Sequence, residues 1–210
     1  ALDDFAGRNG GVAAIVRRTG NIPLPDFVLA KWLHALAADP DLPERVDRLL
    51  AVKDYVRHAL DPRADFVIDA NEACGTQLLN PFLGRWSDEL ISAAGIPRKS
   101  LPPIMDARAQ AGDAAGVNPG LAGVPLILGV GDQAAAKRAL GVGASGVVSL
   151  SLGTSGVLSF TVERHDLPPD WDGAFHLFPS GYGTNFEVIG TLPGFGKTLY
   201  WLSRLLGRPL

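Results

Sequence analysis

The chain has 210 residues, 47% hydrophobic and 20% charged, with a formal net charge of −3; this suits a globular protein with a real core and offers no basic footprint for nucleic acid. A single cysteine, Cys74, excludes a disulfide framework and argues against a Cys-based zinc site, and His34, His58, His165 and His176 lack paired ligand spacing. No apolar run approaches the roughly 18–20 residues that span a bilayer, so the expected partners include neither nucleic acid nor membrane, and the expected location is cytoplasmic.

The N-terminus, ALDDFAGRNGG, is acidic and Gly-rich. It lacks the basic flank and apolar stretch of a signal peptide. The first residue is Ala, which suggests a chain that begins inside a longer gene product. Residues 21–60 read as helical. Phe27, Leu29, Trp32, Leu33 and Leu36 have helical apolar spacing, with Asp26 as the predicted N-cap. Asp41 and Glu44 resemble a capping box for a helix running towards Leu49 and Leu50. A further helix covers 54–60 before Pro62 breaks the pattern.

Residues 61–84 read as loop-rich, with a short extended or helical piece inside. An amphipathic helix is expected over 85–94, ended by Gly95, and 96–123 reads as connecting structure. VPLILGV (124–130) is consistent with a buried strand. Gly131 and Asp132 follow, then a helix to about Leu140, and GVGASG (141–146) reads as a hinge or linker. Residues 147–152 and 157–162 alternate apolar with polar and form a hairpin around Gly153-Thr154-Ser155-Gly156. Residues 184–190 form another strand. Residues 196–206 form a helix with Leu199, Leu202, Leu205 and Leu206 on its apolar side.

Asp132 has two readings. A carboxylate at the end of a strand, flanked by Gly129 and Gly131, reaches a substrate hydroxyl as a general base. Alternatively it only caps the helix that follows. The GTSG loop offers backbone N–H groups and hydroxyls to phosphates, or it is an ordinary hairpin turn. TLPGFGKT (191–198) resembles a Walker A loop, but Thr191 stands where the first glycine belongs, which argues against a P-loop. Asp65, Asp69 and Glu72 read as a solvated loop with Asx turns rather than a metal or sugar site. Trp32, Trp86 and Trp201 read as packing residues, and His58 and His176 as structural.

Several segments, in order, resemble the FGGY carbohydrate kinases, most closely the xylulokinase-like branch. RTGNIPLPDF resembles R-x-G-x-x-L-P-x-F. VKDYVRHAL resembles K-D-Y-[LV]-R. DANEACGT resembles D-x-S-x-A-x-G-T with Asn71 in place of serine. RWSDELISAAGIPRKSLPPI follows W-[SD]-x-x-L…G-[IL]…L-P-x-[IV], GVGDQAA resembles G-[GA]-G-D-[NQ]-A-A, and SLSLGTSGVL is similar to the second phosphate motif. TLPGFGKTLYWL resembles the segment with G-[GAS]-x-[IL]-x-W-[LF], with Lys197 in place of a small residue.

The resemblance implies an α/β chain of ribonuclease-H/actin-like ATPase fold, two domains around a cleft, incompletely represented. Residues 1–143 would be the later part of the N-terminal domain and 144–210 the start of the C-terminal domain. It implies ATP-dependent phosphorylation of a sugar hydroxyl with Mg²⁺, D-xylulose being the expected acceptor. Glycerol, ribulose or a similar polyol is the alternative acceptor, and a non-catalytic sugar- or nucleotide-binding remnant the alternative role. Asp132 would be the base and contact the sugar with Gln133. Gly153, Thr154 and Gly156 would face the ATP phosphates, with Gly196 close to the nucleotide. No metal ligand is assigned, and a homodimer is compatible. The family's N-terminal D-x-G-T-[ST]-x-[RK] loop, its sugar-contacting segment and its late Gly-rich adenosine segment have no counterpart in this sequence.

Overall fold

The computed structural model describes residues 1–114 and 119–209. Among them no helix is long and apolar enough to cross a membrane. The chain opens on helices α1 (Leu2–Arg8), α2 (Val12–Thr19) and α3 (Val28–Ala38). Apolar faces of all three enter one core through Phe5, Ile15, Leu29 and Trp32. Burying each such side chain contributes about 1.5–3 kcal/mol.

The start of α3 departs from the Asp26 expectation: Phe27 is the N-cap, with no side-chain bond. The N–H groups of Val28 and Leu29 donate instead to the Gly75 and Thr76 carbonyls at 3.4 and 3.0 Å. Tertiary acceptors satisfy the donors a side chain would otherwise cap.

α4 (Leu42–Arg45) is a single turn, and Asp41 makes no capping bond from its side chain. The predicted helix to Leu50 does not form. Val46 turns extended, and the Leu49 N–H donates to Ser100 O at 2.8 Å, so packing overrides the local pattern. α5 (Val52–Leu60) begins two residues earlier than expected.

Within the loop-rich stretch 61–84, β1 (Ile68–Asp69) and α6 (Ala70–Cys74) form the expected short ordered piece, and β1 pairs in parallel with β4 (Ile104–Met105) from the segment read as connecting structure. Asp69 is fully buried rather than solvated. Its Oδ1 caps α6 by accepting from the N–H groups of Asn71 and Glu72 at 2.9 and 3.1 Å. Its Oδ2 lies 2.8 Å from Lys53 Nζ as an ion pair outside hydrogen-bond geometry. Lys53 also reaches Asp54 Oδ1 at 2.9 Å and the Leu128 carbonyl at 3.2 Å. Beside it Arg57 donates to the carbonyls of Asp65, Val67 and Ala111 at 2.7–2.9 Å.

β2 (Leu79–Asn80) pairs with β3 (Arg85–Trp86), so the expected helix is shortened to α7 (Asp88–Ala93), with Ser87 as its cap. Gly95 ends that segment at φ +66° as expected. Trp32 and Trp86 are core residues, donating to the Ala94 and Pro102 carbonyls. β5 (Gln110–Asp113) pairs antiparallel with β6 (Pro125–Ile127). The connecting structure expected over 96–123 lies in part outside the described residues. β6 corrects the buried-strand reading: Ile127 is exposed, and only Leu128 and Val130 of that run are buried. α8 (Asp132–Ala139) follows.

The second part is a four-stranded antiparallel sheet of β7 (Val148–Leu152), β8 (Gly156–Val162), β9 (His176–Pro179) and β10 (Phe186–Leu192), in the order β7-β8-β10-β9. The expected hairpin is present, with Leu152 opposite Gly156. α9 (Phe195–Leu206) buries none of its residues. Within these residues Trp201 is exposed, as are Leu205, Leu206 and the β7 residues Val148, Leu150 and Leu152. Their apolar alternation is real, and among the described residues nothing covers that face.

β9 ties this sheet to the first part. Asn21 exchanges two bonds with the Leu177 backbone at 2.8 and 3.0 Å. Trp171 Nε1 donates to Gly20 O at 2.7 Å, and Phe82 packs against Phe186. The two parts of the chain are thereby laid against one another rather than joined only through 141–146.

Candidate active site

The strand β6 delivers the chain through Leu128 and Val130 to Gly131, where α8 begins. Gly131 is the N-cap, and Asp132 is the first helical residue. The Asp132 carboxylate is exposed, and its Oδ1 accepts the Gln133 N–H at 2.7 Å. A negative side chain there is favoured by the helix dipole. Gly131 rather than Asp132 is therefore the cap, which corrects the reading of Asp132 as no more than a helix cap.

Asp132 and Gln133 line a cavity of about 300 Å³. α6 contributes Asn71 and Glu72, the turn before α3 contributes Asp26, and β9 and β10 contribute His176, Phe178 and Glu187. Both parts of the chain therefore build its wall. Burial raises the Glu72 carboxyl above its ordinary value; Lys53 opposes this, while Asp69, Asp54 and Asp132 add to it. Burial likewise raises Glu187, opposed by Lys137. Lys137 Nζ sits 3.7 Å from Glu187 Oε1 and donates to Thr161 Oγ1 at 3.4 Å. That contact fastens the middle of α8 to the sheet. Burial lowers the His176 imidazole, against the pull of Asp26, which favours a neutral ring on the cavity wall. His176 is thus a lining residue as well as a structural one.

Gly153, Thr154, Gly156 and Gly196 do not line this cavity. They gather at the far end of the β7–β8 hairpin. The Gly196 N–H donates to Thr154 O at 3.1 Å. A Cβ at Gly196 would stand 2.5 Å from the Gly153 carbonyl, so only glycine lets α9 start against this turn. A Cβ at Gly156 would meet Phe195 at 3.4 Å, an ordinary contact, so that position does not demand glycine. Two amides expected to be free for phosphate are engaged here, because the Gly153 N–H donates to Ser155 O at 3.1 Å and that of Gly196 to Thr154. Lys197 is exposed on the first turn of α9 with no P-loop around it.

Gly156 lines a second cavity of about 430 Å³, together with Phe195 and Leu192. Leu24, His176, Ile189 and Thr191 line both cavities. The Asp132 end and the hairpin end are therefore adjoining compartments. Sequence reasoning missed Asn71, Glu187 and Asp26 as lining residues. The DANEACGT segment carried the signal for Asn71; Glu187 carried none, since the β8–β10 pairing, with Thr161 opposite Glu187, brings it to Lys137 of α8.

A family model described as the FGGY family of carbohydrate kinases, N-terminal domain, matches residues 6–140. The chain is 29% identical to a xylulose kinase of Escherichia coli (strain K12), over 90% of this chain and 39% of that kinase. It is 28% identical to an apulose kinase of Pectobacterium atrosepticum, over 93% of this chain and 40% of that protein. A crystal structure described as a xyloylose kinase from Brucella ovis superposes with a TM-score of 0.85 at 27% identity, covering 99% of this chain and 43% of that one. The chain thus spans about 40% of the length of the curated relatives it matches. The expected ribonuclease-H/actin-like ATPase fold, represented in part, is the fold it shares with them. Among the described residues no three His, Cys, Asp or Glu side chains converge into a group that could hold a metal, so the Mg²⁺ implied by the resemblance finds no such ligand set here.

Proposed function

The chain belongs to the FGGY family of carbohydrate kinases, and on that premise we propose that the full-length protein phosphorylates a sugar hydroxyl from ATP, D-xylulose being the first acceptor to test. We read residues 1–143 as the later part of the N-terminal domain and 144–210 as the start of the C-terminal one.

The observation that carries this reading is the pair of adjoining cavities, one holding Asp132 and Gln133 and the other reaching Gly156. Phosphoryl transfer asks a protein mainly for positioning and charge stabilisation. Asp132 accepts the sugar hydroxyl's proton as the hydroxyl oxygen attacks the γ-phosphorus of ATP, whose bond to the β–γ bridging oxygen breaks to release ADP. Gln133 orients the sugar, one residue along the same helix. Gly153, Thr154 and Gly156 face the nucleotide phosphates, with the Thr154 hydroxyl as a donor, and Gly196 lies close to the nucleotide; the Gly153 and Gly196 amides stay engaged within the turn. Similarity to an apulose kinase makes apulose the second acceptor to test.

The test is sugar-dependent ADP release by the full-length protein across pentuloses, polyols and glycerol, with wild type and Asp132→Asn compared. A general base contributes about 10²–10⁴-fold, so a loss of that size with unchanged thermal stability is expected. Asp132→Asn retaining more than about a tenth of the wild-type kcat would remove Asp132 from the role of base. Wild type that releases no ADP with any acceptor would overturn the kinase reading itself.

A further inference from the structure

Asn71 occupies the first turn of α6, where the resembling motif has serine, and its side chain is almost wholly buried. Its amide makes two bonds that point to different parts of the chain. Oδ1 accepts the Gly131 N–H at 3.1 Å. Nδ2 donates to the Pro179 carbonyl at 2.7 Å. The partners fix the orientation of the amide, since an N–H needs the oxygen and a carbonyl needs the NH₂.

Gly131 is the residue before Asp132, and Pro179 ends β9. The packing is close on both sides. A Cβ at Gly131 would stand 2.7 Å from Asn71 Oδ1, and one at Gly181, just past β9, would fall on Val130 and lie 3.7 Å from Asn71 Cβ. Three segments distant in sequence therefore meet at one amide. A serine hydroxyl, a single oxygen on a shorter stem, lacks the splayed donor and acceptor that reach both partners at once.

We propose that Asn71 is a positioning residue for Asp132: it holds the Gly131–Asp132 turn in register with β9, so that the placement of the carboxylate depends on how the second sheet sits on the first part of the chain. This rests on the reading of Asp132 as base. Asn71 acts through the Gly131 amide. Lys137, through Glu187 on β10, and Arg138, over the Tyr182 ring, anchor the far half of α8, and the Asn71 contact holds the Gly131 amide at its start.

The test compares full-length wild type with Asn71→Ala, Asn71→Asp and Asn21→Ala. Asn71→Asp keeps an acceptor for Gly131 but cannot donate to Pro179. Asn21→Ala removes bonds to the same strand, at Leu177, without touching the Gly131 turn. Misplacement of a reacting group by about 1 Å costs up to about 100-fold. Asn71→Ala is expected to speed hydrogen exchange at the Gly131 amide and to lower kcat by between about ten- and a hundredfold, with the KM for ATP unchanged. Asn71→Asp should fall between it and wild type, with Gly131 exchange close to wild type. Asn21→Ala should lower the thermal midpoint without either effect. Unchanged Gly131 exchange or unchanged kcat in Asn71→Ala would overturn the proposal, and so would Asn21→Ala reproducing both at an equal loss of thermal stability. If wild type shows no sugar-dependent turnover, the kinase reading fails separately, and Gly131 exchange alone then decides whether Asn71 holds the turn.

Discussion

Lys53 is the cation at the junction of α5, β1 and the segment leading to Asp132, and Lys53→Met removes its charge while keeping most of its volume. Two carboxylates that are 0–1% exposed lose a partner: Asp69 Oδ2 at 2.8 Å and Asp54 Oδ1 at 2.9 Å. Asp54 retains Arg57 at 3.2 Å, and Asp69 retains the two N–H groups of its cap. Breaking a buried pair by deleting one member costs about 3–5 kcal/mol. Lys53 is 23% exposed, so water reaches its ammonium and the low end applies, about 3 kcal/mol. At roughly 2–4 °C per kcal/mol for a domain of this size, the thermal midpoint should fall by about 6–12 °C. Asp69→Asn isolates the pair, because asparagine caps a helix as well as aspartate. In the double variant the two losses should add to less than their sum by about 1 kcal/mol or more. A fall of under about 2 °C in Lys53→Met, or strict additivity with Asp69→Asn, would refute the idea that this cation organises the junction.

Gly181→Ala places a Cβ on Val130 at a φ of +76°, combining left-handed strain with overpacking, so a loss of about 2–4 kcal/mol is expected; a thermal midpoint equal to wild type would contradict the close approach. Glu72 has a folded-state pKa raised above 4.5, chiefly by burial. The stability it contributes is therefore present below its ordinary range and lost as pH rises through the raised value. Glu72→Gln should melt above wild type at neutral pH, with the gap closing as pH falls below about 4; a lower midpoint at pH 7 would reverse that sign. Cys74 is buried, donates to the Leu177 carbonyl at 3.3 Å, and burial pushes its thiol pKa up. Native protein should leave the Cys74 peptide unlabelled by a thiol reagent at pH 8, with full labelling in denaturant; stoichiometric labelling on mixing would show that the β9 contact opens freely.

Local chemistry, readable from the sequence by itself, determined the hairpin around Gly153-Thr154-Ser155-Gly156, the helix opening at Asp132, the Gly95 terminus and the core roles of Trp32 and Trp86. Period-two alternation, a glycine past a helix end and apolar spacing act within a few residues. The order of its motifs was legible too, and it led to the carbohydrate-kinase family. Tertiary structure alone decided the start of α3, which takes its acceptors from Gly75 and Thr76, and the extended path of 46–50, where Leu49 bonds to Ser100. It also decided that Asp69 is buried against Lys53. Most of all it decided the wall of the Asp132 cavity: Asn71, Glu72, His176 and Glu187 are brought there by β9 and β10 docking on α6. A donor or an ion partner can be met by any group that folding brings near, so no spacing along the chain announces which one it is.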